Sequence, residues 1–179
     1  GGGAFVLDMC ASPGSKSTQL AQMVGDGGLL VANEFDRRRI PRLHHRLQKE
    51  APGDAAVVTS FDARFFPRLG GRQPDRILCD VPCSGDGMLR RSPQGWGGFD
   101  AAAGLRLFET QRGILERGLQ LLPEGGRLVY STCTLDPVQN EAVVASVAQS
   151  SLPSGVSLVP LPRLEGISFR PGVSQWRVP

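Results

Sequence analysis

Two cysteines occupy positions where a thiol is available for chemistry. Cys83 follows one apolar, strand-like run of residues, and Cys133 follows another such run much later in the chain. In an open α/β sheet, ligands bind in the crevice beyond the carboxyl ends of the parallel strands. Two thiols that different strands deliver to this crevice indicate catalysis. Cys79 lies inside an apolar run, and it is expected to be a small buried hydrophobic side chain.

A turn and two carboxylates outline a cofactor pocket near the same edge. The turn 8–16 links a predicted strand to a predicted helix, whose N-terminus would present free backbone N–H groups. It matches neither the P-loop nor the dinucleotide-binding glycine motif, so it suits an amino-acid carboxylate better than a phosphate. Glu34 follows the second predicted strand, where a carboxylate accepts hydrogen bonds from ribose, and Asp62 follows the third, where it could face an adenine edge. Together they favour S-adenosylmethionine over the alternative, an ordinary tight turn with surface acids.

A thiol beside a methyl donor suits the methylation of carbon 5 of cytosine. This carbon is a poor nucleophile, and addition of a thiolate to carbon 6 makes it electron-rich enough to attack a methyl sulfonium. The reaction needs a cysteine of lowered pKa and an acid that assists at N3 of the base. Asp80, three residues before Cys83, is a candidate for contact with the base edge or the cofactor. Residue chemistry leaves open whether Cys83 or Cys133 attacks.

Alternating strands and helices would position these residues. The predicted strands are 4–7, 29–32, 55–59, 75–79 and 127–130, and the predicted helices are 15–24, 36–50, 100–122 and 137–149. This alternation predicts an α/β fold with a mostly parallel, doubly wound sheet. The segment 81–98 reads as an irregular loop, and the tail 156–179 contains two short strand-like pieces.

Composition narrows the class of protein. The 179 residues suit one domain, the hydrophobic content of 40% supports a core, and the net charge of +3 permits an anionic partner without requiring one. No run approaches the roughly 20 apolar residues of a membrane helix, and nothing resembles a signal peptide. The four cysteines lack a paired metal-ligand spacing, which argues against a structural zinc site. Because a core strand starts at residue 4, we expect a single catalytic domain, 1–179, that lacks an N-terminal region.

Four motifs resemble those of the Sun-type RNA (cytosine-5) methyltransferases. They are residues 8–16, 32–39, 80–87 and 131–141, which span most of the chain. The segments 76–87 and 171–176 are similar to the eukaryotic branch that acts on several tRNA sites. The resemblance implies a Rossmann-like, class I S-adenosylmethionine-dependent fold, an RNA substrate, most simply tRNA, and an intracellular location in the nucleus, nucleolus or cytoplasm.

The resemblance also implies residue roles. Cys133 matches the nucleophile, and Cys83 matches the cysteine that assists breakdown of the adduct and release of the RNA. The matching cofactor-binding positions are Cys10, Ala11, Ser12, Pro13, Gly14, Ser15, Lys16, Glu34, Asp62 and Asp80. Glu34 replaces the usual aspartate, and ribose binding is expected to survive the extra methylene. The family's N-terminal RNA-holding region has no counterpart in the chain, which predicts weak RNA binding by the chain alone.

Two basic segments are further candidates for RNA contact. Arg90 and Arg91 follow the Cys83 segment and could meet phosphates near the target base, although a solvated loop explains them equally well. Arg39, in the basic run before the second predicted helix, is expected to support Glu34.

Three alternatives remain open at this level. A catalytically silent module could keep the fold and bind the cofactor or RNA, and an rRNA could replace the tRNA as substrate. An amino-group methyltransferase is a third class, but the stretch 81–83 lacks the aromatic residue that stacks the base in such enzymes.

Overall fold

A parallel five-stranded sheet forms the centre of the chain. The computed structural model describes residues 3–51, 53–88, 90, 100, 102–150 and 155–175. The strands are β1 (Phe5–Asp8), β2 (Leu29–Asn33), β3 (Ala56–Thr59), β4 (Arg76–Asp80) and β5 (Arg127–Ser131). Their spatial order is β3-β2-β1-β4-β5. The predicted α/β class and doubly wound sheet are confirmed.

Four α-helices accompany the sheet in the described part of the chain: α1 (Ser15–Met23), α2 (Ile40–Glu50), α3 (Ala103–Leu121) and α4 (Glu141–Ser150). The prediction that α2 begins at residue 36 is wrong. Pro41 lacks a backbone N–H and is tolerated only in the first helical turn, so the helix begins at Ile40. The prediction that α4 begins at Pro137 is also wrong, because residues 137–140 form a turn.

The core lies on both faces of the sheet, because the inner strands β1 and β2 are buried on both sides. Phe5 and Leu7 of β1 contribute to one hydrophobic cluster, which includes Ile114 of α3. Val6 points to the opposite face and joins a second cluster that includes Leu43 and residues of α1 and α2. This alternation is the period-two pattern of a strand.

The predicted burial is confirmed for the run 29–32 but is wrong for 127–130. Strand β5 lies at the edge of the sheet, and Val129 is 55% exposed.

The chain reverses its direction across the sheet between β1 and β4. From β1 it moves outward through β2 and β3, and then it crosses back to form β4 and β5 on the other side of β1. The carboxyl ends of β1 and β4 therefore border a topological switch point, which is where open α/β sheets bind ligands. Asp8 ends β1 and Asp80 ends β4, so both carboxyl groups lie at this crevice.

The tail differs from the prediction, and the predicted loop 81–98 is described only in part. The described tail, 155–175, contains no strand, so the expected strand-like pieces are absent from that part of the chain. Its backbone meets the rest of the chain through the N–H of Val173, which donates to Glu141 Oε1 at 2.9 Å. In the predicted loop 81–98, residues 89 and 91–99 lie outside the described residues, and with them Arg91.

Candidate active site

The two candidate thiols lie side by side. Cys83 Sγ is 3.3 Å from Cys133 Sγ, and the backbone N–H of Cys133 donates to Cys83 Sγ at 3.3 Å. Both thiols are free; Cys133 is exposed and Cys83 is half-buried. The two strands that precede them, β4 and β5, are neighbours in the sheet. Loops that leave neighbouring parallel strands at the same edge therefore bring the two sulfur atoms to one place.

The surroundings of Cys133 raise the pKa of its thiol. Partial burial raises the pKa of its thiol to about 11, and the hydrogen bond to Cys83 and the negative charge of Asp80 act in the same direction. The ammonium group of Lys16 opposes this shift only in part. The lowered thiol pKa that the reaction needs is thus not provided at Cys133 by the surroundings of the thiol in the free protein.

Asp80 lies between the cofactor turn and the thiols. Its Oδ2 accepts a hydrogen bond from Lys16 Nζ at 2.7 Å, which is also an ion pair, and its Oδ1 accepts one from Ser131 Oγ at 2.7 Å. The register of β4 and β5 pairs Asp80 with Ser131, which explains the second contact. An ionised Asp80 can only accept hydrogen bonds, so the geometry favours contact with a base edge or the cofactor over proton donation.

The predicted cofactor turn lies between β1 and α1. Gly14 has a φ of +99°, a left-handed conformation that glycine adopts without strain, and its position directly precedes α1. Contacts from the α2 region hold the turn, because Arg39 donates to the carbonyl of Ser12 at 2.8 Å and Arg46 donates to Ser15 Oγ at 2.8 Å. Ala11 is buried, Pro13 is exposed, and Cys10 is half-buried.

Two buried groups at the turn are poorly suited to carrying charge. Burial raises the pKa of the Cys10 thiol, which keeps it neutral and makes packing its simplest role. Burial also raises the pKa of Asp8 to about 6, although Ser17 Oγ donates to its carboxylate at 2.7 Å and favours the ionised form. Cys79 is completely buried, as predicted.

The two predicted adenosine-binding acids follow β2 and β3. Glu34 is buried, with Oε1 accepting from the N–H of Asp36 at 2.7 Å and Oε2 lying 3.5 Å from Arg39, so the predicted support by Arg39 is confirmed. Arg64 donates hydrogen bonds to both carboxylate oxygens of Asp62, and its NH2 group lies 2.6 Å from Asp62 Oδ2. This ion pair lowers the pKa of Asp62. Glu34 can therefore still accept hydrogen bonds from a ligand, whereas a ligand would have to compete with Arg64 for the carboxylate of Asp62.

Sequence reasoning missed a polar network behind the thiols. It joins the loops that carry Cys83 and Cys133, and its members are Ser84, Asp86, Gln111, Thr134, Asp136 and Gln139. The one local signal was that a hydroxyl residue directly follows each cysteine. Nothing nearby in sequence indicated the two glutamines, since their partners are distant along the chain.

Two expected absences concern metals and membranes. In the part of the chain that the structure describes, no group of three or more His, Cys, Asp or Glu side chains could hold a metal ion. Within the same residues, no helix combines the length and the apolar character that crossing a bilayer would require. Arg90 is exposed, which is compatible with either of its two interpretations.

Comparison with known proteins identifies the family. The family model described as 16S rRNA methyltransferase RsmB/F matches residues 2–176. The chain belongs to this RNA methyltransferase family. The resemblance inferred from the four motifs is thereby confirmed. The cofactor of this family is S-adenosylmethionine.

Two curated relatives of the chain act on tRNA by name. The multisite-specific tRNA:(cytosine-C(5))-methyltransferase of Saccharomyces cerevisiae is 45% identical over 97% of this chain and 27% of its own length. The tRNA (cytosine(34)-C(5))-methyltransferase of Drosophila melanogaster is 38% identical over 97% of this chain and 25% of its own length. The ribosomal RNA small subunit methyltransferase F of Shewanella sediminis is 39% identical over 89% of this chain. The chain thus spans about a quarter of the length of the two tRNA-directed relatives.

A solved structure agrees with this assignment. NSun6 from Pyrococcus horikoshii, solved with SFG, has a TM-score of 0.72 and is 30% identical over 81% of this chain and 36% of its own. SFG is an analogue of S-adenosylmethionine. The family model therefore establishes the RsmB/F family, and the similarity to solved structures supports the Rossmann-like methyltransferase fold.

Proposed function

We propose that the chain carries the catalytic site of an RNA (cytosine-5) methyltransferase that acts on tRNA. The observation that carries the proposal is the pair of thiols, with sulfur atoms 3.3 Å apart, beside Asp80 at the carboxyl ends of β4 and β5. In the family such a site serves cytosine methylation. The 45% identity to a tRNA-directed relative supports tRNA over rRNA, although an rRNA-directed relative is 39% identical.

The cofactor pocket is proposed to be the crevice beyond β1, β2 and β3. Each carboxylate oxygen accepts two hydrogen bonds, so Glu34 has capacity for ribose hydroxyl groups in addition to its bond from Asp36. Asp62 would contact the adenine edge once Arg64 gives up part of its hydrogen bonding to the carboxylate. The turn 10–16 would hold the amino-acid end with its backbone N–H groups. When bound, S-adenosylmethionine supplies an activated methyl group, and the donor set in the crevice fits it.

Cys133 is proposed to form the bond to carbon 6 of the cytosine. Its thiol is neutral in the free protein, with a pKa of about 11, so the thiol proton must pass to a water molecule or another base as sulfur bonds to carbon 6. The electron pair displaced from the C5–C6 double bond then lets carbon 5 attack the methyl group. Insertion of a cytosine and its phosphate environment would change the burial and the charge that set this pKa. Asp80, which pairs with Lys16, would accept a hydrogen bond from the exocyclic amino group of the base and orient it.

Cys83 is proposed to assist the second half of the reaction. After methyl transfer, the proton on carbon 5 must pass to a base. The electron pair of that C–H bond re-forms the C5–C6 double bond and expels the sulfur of Cys133 as a thiolate. Cys83 Sγ lies 3.3 Å from the attacking sulfur, so it reaches the same base without movement of the backbone. This position suits a group that acts on the adduct but does not form it.

Replacement of each thiol separates the two roles. The test uses the full protein that contains this chain, with tRNA and S-adenosylmethionine. Cys83→Ala should attack and then stall, trapping RNA in a complex that survives denaturing electrophoresis. Cys133→Ala and the double variant should trap none, since attack precedes the stalled step.

Other patterns would contradict parts of the proposal. A reversed pattern would make Cys83 the nucleophile. Loss of methylation by both variants without any trapped RNA would remove the covalent mechanism. Methylation that survives in Cys133→Ala would favour a different chemistry. Absence of methylation by the unaltered protein would favour a catalytically silent binding module. Bisulfite sequencing of RNA from cells with and without the protein would identify the modified cytosine and separate tRNA from rRNA.

RNA affinity of the 179-residue chain by itself is expected to be weak, because its net charge is only +3 and its tRNA-directed relatives are far longer. Fluorescence anisotropy over a range of salt concentrations measures this affinity. Loss of binding at physiological salt is the expected result. Tight binding there would show that the chain carries its own RNA-binding surface.

A further inference from the structure

One buried amide joins the loops that carry the two thiols. These are the Cys83 loop, residues 81–88, and the Cys133 loop, residues 132–140. Gln139 is completely buried. Its Nε2 donates to Ser84 Oγ at 2.7 Å and to Asp136 Oδ2 at 3.0 Å, and its Oε1 accepts from the backbone N–H of Ser84 at 3.0 Å. Gln139 thereby fixes both the backbone and the side chain of the residue that follows Cys83.

A second set of contacts joins the same loops nearer to the sulfur atoms. Ser84 Oγ donates to Asp86 Oδ1 at 2.7 Å, and Thr134 Oγ1 donates to the same oxygen in a very short hydrogen bond. The backbone N–H of Leu135 donates to Asp86 Oδ2 at 2.9 Å. These contacts lower the pKa of Asp86, which keeps the carboxylate ionised against the effect of burial. Asp86 therefore joins the same two loops as Gln139, with Ser84 and Thr134 as shared partners.

Helix α3 supplies the third support. Gln111 is completely buried, and its Nε2 donates to the carbonyl of Pro82 at 2.9 Å and to Gln139 Oε1 at 3.1 Å. The Cys83 loop, the Cys133 loop and α3 consequently meet at the side chain of Gln139. Buried polar groups are costly unless their hydrogen bonds are satisfied, and an apolar side chain would pack here with less risk.

We propose that Gln139 is a positioning residue that holds Cys83 in register with Cys133. Its bonds go to Ser84, so its loss displaces Cys83 more than Cys133, which belongs to the same loop as Gln139 itself. The geometric part of the proposal stands on the contacts alone. The catalytic part rests on the proposed function: misplacing Cys83 slows release of the RNA more than it slows attack.

Disulfide formation between the two thiols tests the geometry without RNA, because a disulfide forms only within strict limits of distance and angle. Brief treatment with the thiol oxidant diamide, followed by mass spectrometry of the digested 179-residue chain, measures the Cys83–Cys133 cross-link. Gln139→Met, which keeps the side-chain length but removes both hydrogen-bonding groups, should reduce the yield of this cross-link on the order of tenfold, as expected for displacement by about 1 Å. The matched control is Val147→Ala, which creates a cavity under the completely buried face of α4 and should keep the full yield.

Three results decide the geometric part. A normal cross-link yield in Gln139→Met overturns the proposal, and so does an equal loss in Val147→Ala, which would indicate general destabilisation. Thermal unfolding by circular dichroism verifies that each variant is folded. If Gln139→Met does not fold, Ser84→Ala replaces it, because that side chain is exposed and its removal takes away one acceptor of Gln139. Ser84→Ala should lower the yield several-fold, and an unchanged yield overturns the proposal.

Methylation kinetics test the catalytic part in the full protein. Gln139→Met should lower kcat on the order of tenfold to a hundredfold, leave KM for RNA nearly unchanged, and accumulate covalent RNA complex as Cys83→Ala does. Val147→Ala should do none of these. A rise in KM alone, or a fall in kcat without trapped RNA, overturns the release role. If the unaltered protein does not methylate RNA, the proposed function fails, while the cross-linking result still decides whether Gln139 aligns the thiols.

Discussion

The two acids of the cofactor half are held by local contacts, whereas the two loops of the thiol half are joined to each other by contacts between distant parts of the chain. The cofactor turn itself is held from the α2 region, by Arg39 and Arg46. On the cofactor half, Asp62 is bound by Arg64, two residues away, and Glu34 accepts from the N–H of Asp36, also two residues away. On the thiol half, Gln139 reaches Ser84 across 55 residues. The ion pair between Lys16 and Asp80 joins the halves across 64 residues. Local contacts shape single loops, whereas the distant contacts set the position of one loop relative to another.

This difference predicts where substitutions will do most damage. A change on the cofactor half should alter one ligand contact and leave the thiols in place. A change on the thiol half should move two loops at once, because their hydrogen bonds are shared. The following experiments test that contrast, beginning with the largest expected effect.

Adding a methyl group where the two thiol loops touch should have the largest effect. A Cβ added at Gly87 would lie 2.6 Å from the carbonyl oxygen of Cys133, so Gly87→Ala must push the loops apart. We expect a loss of about 1–3 kcal/mol in the free energy of unfolding and a fall of about a hundredfold in the rate of methyl transfer. Denaturant unfolding and single-turnover kinetics measure the two quantities.

A matched glycine provides the control for this substitution. Gly70 has no heavy atom within 4 Å of an added Cβ, so Gly70→Ala should leave the rate unchanged. Equal rates in Gly87→Ala and Gly70→Ala would mean that the thiol half tolerates displacement, which contradicts the contrast between the halves.

The reactivity of Cys133 should depend strongly on pH. With a thiol pKa of about 11, the thiolate fraction increases about tenfold for each unit by which the pH is raised, as long as the pH stays well below the pKa. The rate of alkylation by iodoacetamide, followed at Cys133 by mass spectrometry, should therefore rise about tenfold per unit between about pH 7 and about pH 9.

Removing the neighbouring thiol sharpens this measurement. Cys83 raises the pKa of Cys133 through its hydrogen bond, so in Cys83→Ala alkylation of Cys133 should be faster at any given pH in this range. A rate that is already independent of pH near neutrality would instead indicate that Cys133 is a thiolate in the free protein.

The smallest effect is expected on the cofactor half. Asp62→Ala should weaken binding of S-adenosylhomocysteine by about 0.5–1.5 kcal/mol, the value of one good hydrogen bond, while thiol cross-linking stays normal. Calorimetry measures the affinity. Arg64→Ala is the paired variant, because it frees the carboxylate that Arg64 now engages and should preserve or strengthen binding. Unchanged affinity in Asp62→Ala would remove Asp62 from the cofactor site.

The amino-acid sequence by itself determined the layout of the crevice. Apolar runs such as 29–32 and 127–130 predict parallel strands, and the strand ends then locate Glu34, Asp62 and Asp80 at one edge. These inferences succeed because they depend on local patterns of hydrophobicity and on the rule that parallel strands end together. The motifs 8–16 and 80–87 also identified the family, although the roles of the individual side chains stay predictions.

The tertiary structure alone decided how the site is held. Helix α4 begins at Glu141 and not at residue 137. The backbone N–H groups of Gln139 and Asn140 donate to carbonyl groups three residues back, as in a turn, while their side chains bond to Ser84 and Thr134. The pKa of Cys133 rises because burial and Cys83, 50 residues away, act on it together. Desolvation and hydrogen bonds between distant segments exist only after the loops have packed, so no local pattern in the sequence encodes them in a readable form.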